Sequence, residues 1–461
     1  MRHRPLFSLI SPLLVPLLVA SAPAHAEDAI FVLFVGNSYT FARVDPVLTY
    51  NAAKVRDLTR PQGDLRWQMD PSVPYDPRAG APFTDVTGTN SYPVGSVNPV
   101  TGALFDSYSP RSQTHAWSGV AGIFEKFTSQ AGLNYDVALS SRNAATLRGH
   151  FLNAGSPNWD MRGNIASKAW NQVVLQEQSS EPLTRQPGLG ANPEYSRFYA
   201  DKIENFVHST TASGVIRDRD AFPGSTSAQR QAACEAAGIA AGTCSNNRGT
   251  FANPFGSAST EMYLFQTWAR PNLINAPGAI KIDPASGNAS YEGTPPPAFY
   301  PSLEAMTADL KGAYEAIKDR ADDDGTPGFK AIAPVGETFL RAVQTGVATR
   351  DMYAAGAQTD GLIDLWFNDG THASVHGSYL AALTLFGTLT GRDPAMLGAS
   401  EIAARDLGIS PADALALQRV ASDQLGYTAP IPEPSTVSML GLGLLGMGAL
   451  ARSRRRAAAQ G

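Results

Sequence analysis

Five short apolar runs, each followed by residues of helical period, constrain this chain more than any other feature. They begin near Ala29, Tyr135, Asn171, Glu261 and Phe329. The first, "AIFVLFVG", and the third, "NQVVLQEQ", are apolar on successive residues rather than on alternate ones. Strands buried on both faces read this way. Between the runs lie "SGVAGIFEKFTSQAG", with Val120, Ile123, Phe124 and Phe127 at helical spacing, then "PEYSRFYADKIENFVHST" and "PSLEAMTADLKGAYEAIKDRA". Strands that alternate with helices build a parallel sheet covered by helices on both faces. The expectation is a three-layer α/β fold around five parallel strands, with its functional site at their carboxyl ends.

Both ends of the chain read as targeting segments. Residues 1–26 open with Arg2 and Arg4, continue through an apolar stretch and end in Ala24-His25-Ala26. That is the layout of a signal peptide cleaved after Ala26, and an uncleaved anchor is the alternative. Near the other end, Pro432-Glu433-Pro434 precedes an apolar run over 437–451 and then Arg452, Arg454, Arg455 and Arg456. The run is shorter than the roughly 20 residues of a free-standing span, and the arginines favour a cytoplasmic tail. Residues 430–461 resemble a PEP-CTERM sorting signal. The resemblance implies an exported protein of a Gram-negative bacterium that makes exopolysaccharide. It further implies processing by signal peptidase and an exosortase, transient inner-membrane anchoring by the C-terminal transmembrane-like segment, and a final place in the periplasm, on the outer surface or in the extracellular matrix. The chain carries 36 Lys+Arg against 41 Asp+Glu, a net −5. Without the leader's two arginines and the tail's four arginines and one glutamate, the body stands at about −10. Such a body lacks the basic face that nucleic acid requires.

Within the body, residues 27–427, two stretches interrupt the alternation. Residues near 57–117 are rich in Gly, Pro, Ser, Thr and Asp, and 213–259 in Ala, Gly and Asn. Both read as insertions of loops or short strands. The second holds the two cysteines, Cys234 and Cys244. In an oxidising compartment they are expected to form a disulfide, with two free thiols as the alternative. A helix is expected from near Thr40 through "PVLTYNAAKV".

The first strand ends in Gly36-Asn37-Ser38. A serine hydroxyl needs a base before it attacks a carbonyl. Five histidines remain once the leader is gone: His115, His150, His208, His372 and His376. His208 reads as a solvated helix position. His115 and Trp117 close the first insertion, as a lid or as plain surface loop. Trp268 and Arg270, in "QTWARP", read either as pocket wall or as core and rim. His372 follows Asp369 across Gly370-Thr371, a spacing that lets a carboxylate reach the imidazole. The same residues also fit a helix start.

Taken together, Gly-Asn-Ser after the first strand and Asp-x-x-His before a late helix resemble the SGNH/GDSL hydrolases. That resemblance implies a flavodoxin-like three-layer fold hosting esterases, lipases, thioesterases and carbohydrate deacetylases. It implies Ser38 as nucleophile, His372 as base and Asp369 as its orienting partner. In that family the oxyanion is held by three donors: the nucleophile's N–H, a glycine N–H after the second strand, and an asparagine side chain after the third. Here Ala144 or Ala145 stands in place of the glycine, and Gln178 in place of the asparagine. Asn37, Gln176 and His150 are candidate pocket residues, with His150 read foremost as a satisfied structural histidine. No metal or cofactor is expected: His372 and His376 lack the intervening glutamate of a zinc motif, and no G-x-G-x-x-G occurs. The implied function is an exported serine esterase, acting on an O-acyl group of an extracellular glycan. The alternative is a catalytically silent glycan-binding surface or matrix protein with the same fold.

Overall fold

In a computed structural model, the described residues are 28–42, 44, 46–58, 91–92, 109–110, 117–153, 160–212, 214–249, 252–282 and 289–427. The leader, most of the first insertion with His115, and the C-terminal sorting segment lie outside them. Among the described residues no helix is long and apolar enough to cross a membrane.

The central sheet has six strands rather than five. They are β1 (Ile30–Gly36), β2 (Val55–Asp57), β3 (Tyr135–Ser141), β4 (Gln172–Leu175), β5 (Glu261–Phe265) and β6 (Ala331–Ala333). Their order is β6-β5-β4-β1-β3-β2, and every pairing is parallel. Without β2 this is the flavodoxin order. The extra strand lies at the edge, with Val55 opposite Val137. It falls where a helix was expected. Instead, a four-residue helix Ser38–Phe41 is followed by two single 3-10 turns, Val47–Thr49 and Ala52–Lys54. Asn51, between those turns, has a φ of 57°. This left-handed residue stops helix propagation, and the chain leaves the second turn extended.

β1 sits in the middle because its side chains suit no other place: Val32, Leu33, Phe34 and Val35 are all fully buried. From β1 the chain crosses to β3 on one side, through helix Gly119–Gln130. It then returns past β1 to β4 and steps outward to β5 and β6. Right-handed crossovers in opposite directions put helices on opposite faces. Gly119–Gln130 packs with Val375–Thr390, and Pro193–His208 packs with Leu303–Ala321. The direction of winding reverses between β1 and β4. In open sheets of this topology the ligand crevice lies outside the carboxyl ends of the strands at such a reversal.

Residues 214–249 form a short strand pair, Ile216–Arg217 with Asn247–Arg248, and helices Ser227–Ala236 and Ala241–Ser245. A disulfide joins Cys234 to Cys244. Trp117 is buried against Phe41, ring centroids 4.3 Å apart, and its N–H donates to Asp57 at 3.0 Å. It belongs to the core rather than to a lid. His208 is also buried, not solvated: it contacts the Glu204 carboxylate and, at 2.8 Å, the Thr260 carbonyl.

Candidate active site

Ser38 is the first residue past the β1 turn, at the crevice. The turn is built by the residues around it. Asn37 caps the short helix: its Oδ1 accepts from the Tyr39 N–H at 3.1 Å, and its Nδ2 donates to the Ala145 carbonyl at 3.0 Å. Gln176, at the end of β4, reaches under the turn. Its Oε1 accepts from the Asn37 N–H at 2.9 Å and from the Thr40 hydroxyl at 2.8 Å. That approach explains Gly36. A Cβ there would lie 2.2 Å from Thr40 Oγ1 and 2.6 Å from Gln176 Oε1. His150 is buried beneath, with Nε2 2.8 Å from the Gly36 carbonyl. A carbonyl only accepts, so Nε2 carries the proton. Burial first of all pushes the His150 pKa down to about 4, so the ring is neutral. Asn37 and Gln176, candidate pocket residues, are buried and spend polar atoms on holding the Ser38 turn, and His150 takes the structural role read for it in the sequence.

The partner of Ser38 comes from the far end of the chain. Ser38 Oγ lies 2.9 Å from His372 Nε2, and His372 Nδ1 lies 2.6 Å from Asp369 Oδ2. The other Asp369 oxygen accepts from the Thr371 and His372 N–H groups, each at 2.9 Å. One carboxylate therefore folds the Asp-Gly-Thr-His turn and orients its imidazole. Burial opposes the Asp369 charge, but the facing His372 and these hydrogen bonds outweigh it and hold the pKa down at about 2. A charged carboxylate can only accept, so Nδ1 bears the proton and Nε2 is free to accept from Ser38.

The candidate oxyanion donors differ in status. The Ser38 and Ala144 N–H groups have no partner among the described residues. The Ala145 N–H is spent on the Arg142 carbonyl at 3.2 Å. Ala144 has a φ of 54°, the left-handed backbone that a glycine adopts without strain. Gln178 Oε1 accepts from the N–H groups of Ser180 at 2.7 Å and Glu181 at 3.0 Å. Those bonds identify the oxygen and leave Nε2 as the outward donor. Glu177 ties two of these segments together, accepting from the Leu147 N–H at 2.9 Å and the Gln178 N–H at 2.7 Å. Burial pushes the Glu177 carboxyl up. Glu181 is pushed up by burial and then by the charge of Glu177.

Comparison with known proteins gives two kinds of finding. Residues 430–456 match the PEP-CTERM protein-sorting motif, the C-terminal signal of exported proteins. No curated protein sequence matches the chain. Three solved structures are similar at low identity. A DUF4886 family protein from Bacteroides uniformis is 13% identical over 87% of this chain and 96% of that one, TM-score 0.37. A protein from Slackia heliotrinireducens assigned provisionally to the SGNH hydrolases is 13% identical over 78% and 100%, TM-score 0.31. A peptidoglycan O-acetylesterase is 10% identical over 79% and 91%, TM-score 0.28.

Two tryptophans dock the His372 loop: Trp268, read from sequence as pocket wall or core, and Trp366, which the sequence did not single out. Trp268 stacks between Tyr39, at 4.2 Å, and Phe339, at 4.9 Å, and its indole N–H donates to the Thr371 carbonyl at 3.1 Å. Trp366 donates to the Ala269 carbonyl at 2.9 Å. Gly370, with a φ of 62°, fits where a Cβ would meet the Tyr353 hydroxyl at 2.0 Å. His376 faces Asp413 at 3.8 Å rather than joining His372. Among the described residues, Asp201, Glu204 and Asp324 are close enough to share a cation. Their oxygens are met by Arg320, Asn205, Thr326 and the Gly328 N–H.

Proposed function

We propose that this protein is an exported serine hydrolase that cleaves an ester. The observation that carries the reading is the run of contacts Ser38–His372–Asp369, 2.9 and 2.6 Å long, at the crevice of the sheet. Ser38 Oγ attacks the acyl carbon while its proton passes to His372 Nε2. Asp369 stabilises the imidazolium without taking its proton. The oxyanion is met by the N–H groups of Ser38 and Ala144 and by Gln178 Nε2. His372 then protonates the departing alcohol. Water repeats the sequence, freeing the acid and restoring Ser38. No cofactor enters these steps.

The sorting motif directs the substrate choice. A signal peptidase and an exosortase process the two ends, the tail anchors the chain in the inner membrane until then, and the released body works outside the cell. There the abundant esters are O-acyl groups on polysaccharide. The test uses p-nitrophenyl esters and acetylated glycans beside a fluorophosphonate probe. The parent is expected to hydrolyse them and to label at Ser38. Ser38→Ala is expected to lose at least 10³-fold in kcat, as removal of a triad nucleophile does. A correctly folded parent that neither labels nor hydrolyses would instead be a silent glycan binder.

A further inference from the structure

Arg270 is a half-buried cation without an acidic partner. Several other arginines among the described residues meet carboxylates (Arg148 and Arg248 meet Asp218, Arg56 meets Asp136, Arg320 meets Asp201), while Arg341 and Arg219 meet glutamine side chains away from the site. Arg270 meets only neutral acceptors. Its Nη1 donates to the hydroxyls of Ser179 at 3.0 Å and Ser180 at 2.8 Å, and its Nε donates to the Asn272 side chain at 3.2 Å. A guanidinium has five N–H donors. Three are used, and the two left are both on Nη2.

Its place in the fold gives those two donors a direction of use. Ser179 and Ser180 directly follow Gln178 at the end of β4. Arg270 follows β5, the next strand. Asn272, which holds its Nε, donates its own N–H to the Gly370 carbonyl at 3.2 Å, inside the Asp369–His372 turn. The guanidinium is therefore pinned between the Gln178 side and the His372 side of the crevice. Neighbouring strands stand about 4.8 Å apart. β5 is two strands from β1, so Arg270 lies roughly 10 Å along the sheet edge from the nucleophile's strand.

We propose that Arg270 is a carboxylate-binding subsite, and that the preferred ester is carried by an anionic, uronate-bearing glycan. The inference rests on the hydrolase reading for its use and on Arg270 alone for its chemistry. The two Nη2 N–H groups diverge, so a carboxylate oxygen takes one of them in a charge-assisted hydrogen bond beside the guanidinium charge. The three existing bonds hold the guanidinium before the ligand arrives, so little side-chain entropy remains to be lost. A carboxylate on the acylated sugar or its neighbour spans the separation from Ser38. The acidic body repels such a polymer over most of its surface, which confines productive binding to this position.

The test has two arms. In the first, kcat/KM is measured on O-acetylated trigalacturonate and on an O-acetylated neutral xylo-oligosaccharide. Arg270→Gln is expected to lower the ratio of the two at least tenfold, mainly through KM on the anionic substrate, with Arg270→Lys in between. Raising the salt is expected to weaken the parent's preference and leave that of the Gln variant unmoved. An unchanged ratio in Arg270→Gln overturns the subsite, because a merely structural arginine would depress both substrates together. In the second arm, calorimetry follows unacylated trigalacturonate binding to the Ser38→Ala protein with and without Arg270→Gln. Binding lost with Arg270 supports the subsite even if no ester is hydrolysed, which would then count against the hydrolase. Hydrolysis without charge discrimination leaves the hydrolase standing and removes the subsite.

Discussion

At the scale of single residues, Ala144 is where the chain departs from the glycine that the SGNH pattern places after the second strand. Its φ of 54° is a backbone conformation that a glycine adopts without strain. An L-residue there carries a strain of about 1–2 kcal/mol. Ala144→Gly relieves that strain but gives the unfolded chain more freedom, worth about 0.4–1 kcal/mol. The expected net is a gain of about 1 kcal/mol, read as a higher urea midpoint at unchanged slope. A lower midpoint would mean that the methyl group makes a contact worth more than the strain. Gln178 departs in the same way from the expected asparagine. Its longer stem lets Oε1 cap the Ser180–Glu181 turn while Nε2 stays available. Both departures were visible as letters. Their backbone and capping consequences needed coordinates, because φ and amide orientation are set by surroundings.

At the scale of elements, legibility follows the reach of each interaction. The Asp369–His372 turn reads directly from sequence because its bonds span three residues or fewer. The long apolar runs read as strands because burial on both faces leaves an unbroken pattern. β2 does not, since three residues with Arg56 and Asp57 among them carry no period. Trp268 was ambiguous for another reason. Its partners Tyr39, Phe339 and Thr371 come from three separate parts of the chain, and only the sheet order brings them together. The structure makes that indole the dock for the His372 loop. Trp268→Phe keeps an aromatic ring between Tyr39 and Phe339 but leaves the Thr371 carbonyl without its donor. The expected cost is about 1–3 kcal/mol of stability. A drop in kcat that exceeds any change in KM is expected with it, because the loop carries the proposed base. Thermal melting and steady-state kinetics on one ester check both. Lost stability with kcat intact would reduce Trp268 to ordinary core.

For the molecule as a whole, the buried glutamates make stability depend on pH in a direction opposite to that of Asp369. The Asp369 carboxyl is held down at about 2, so its contribution is present above the ordinary aspartate range near 3.9 and fades as pH falls through the folded value. Glu177 is raised by burial, and Glu181 by burial and then by the charge of Glu177. Their unfolded pKa is about 4.3. Between that value and the raised folded one, the folded state binds more protons than the unfolded state. Their contribution is thus complete below the unfolded pKa and is lost as pH rises through the folded one. Glu177→Gln isolates the effect. The amide oxygen still accepts from the Leu147 and Gln178 N–H groups, and the negative charge beside Glu181 is gone. Between pH 5 and 8 the parent is expected to lose stability as pH rises, by up to about 1.4 kcal/mol per pH unit for each such group. The variant is expected to follow a flatter line. Urea denaturation at several pH values measures both slopes. Equal slopes in parent and variant would show that Glu177 titrates in the folded protein as it does in the unfolded chain. Its hold on the Leu147 and Gln178 segments would then be that of an ordinary carboxylate.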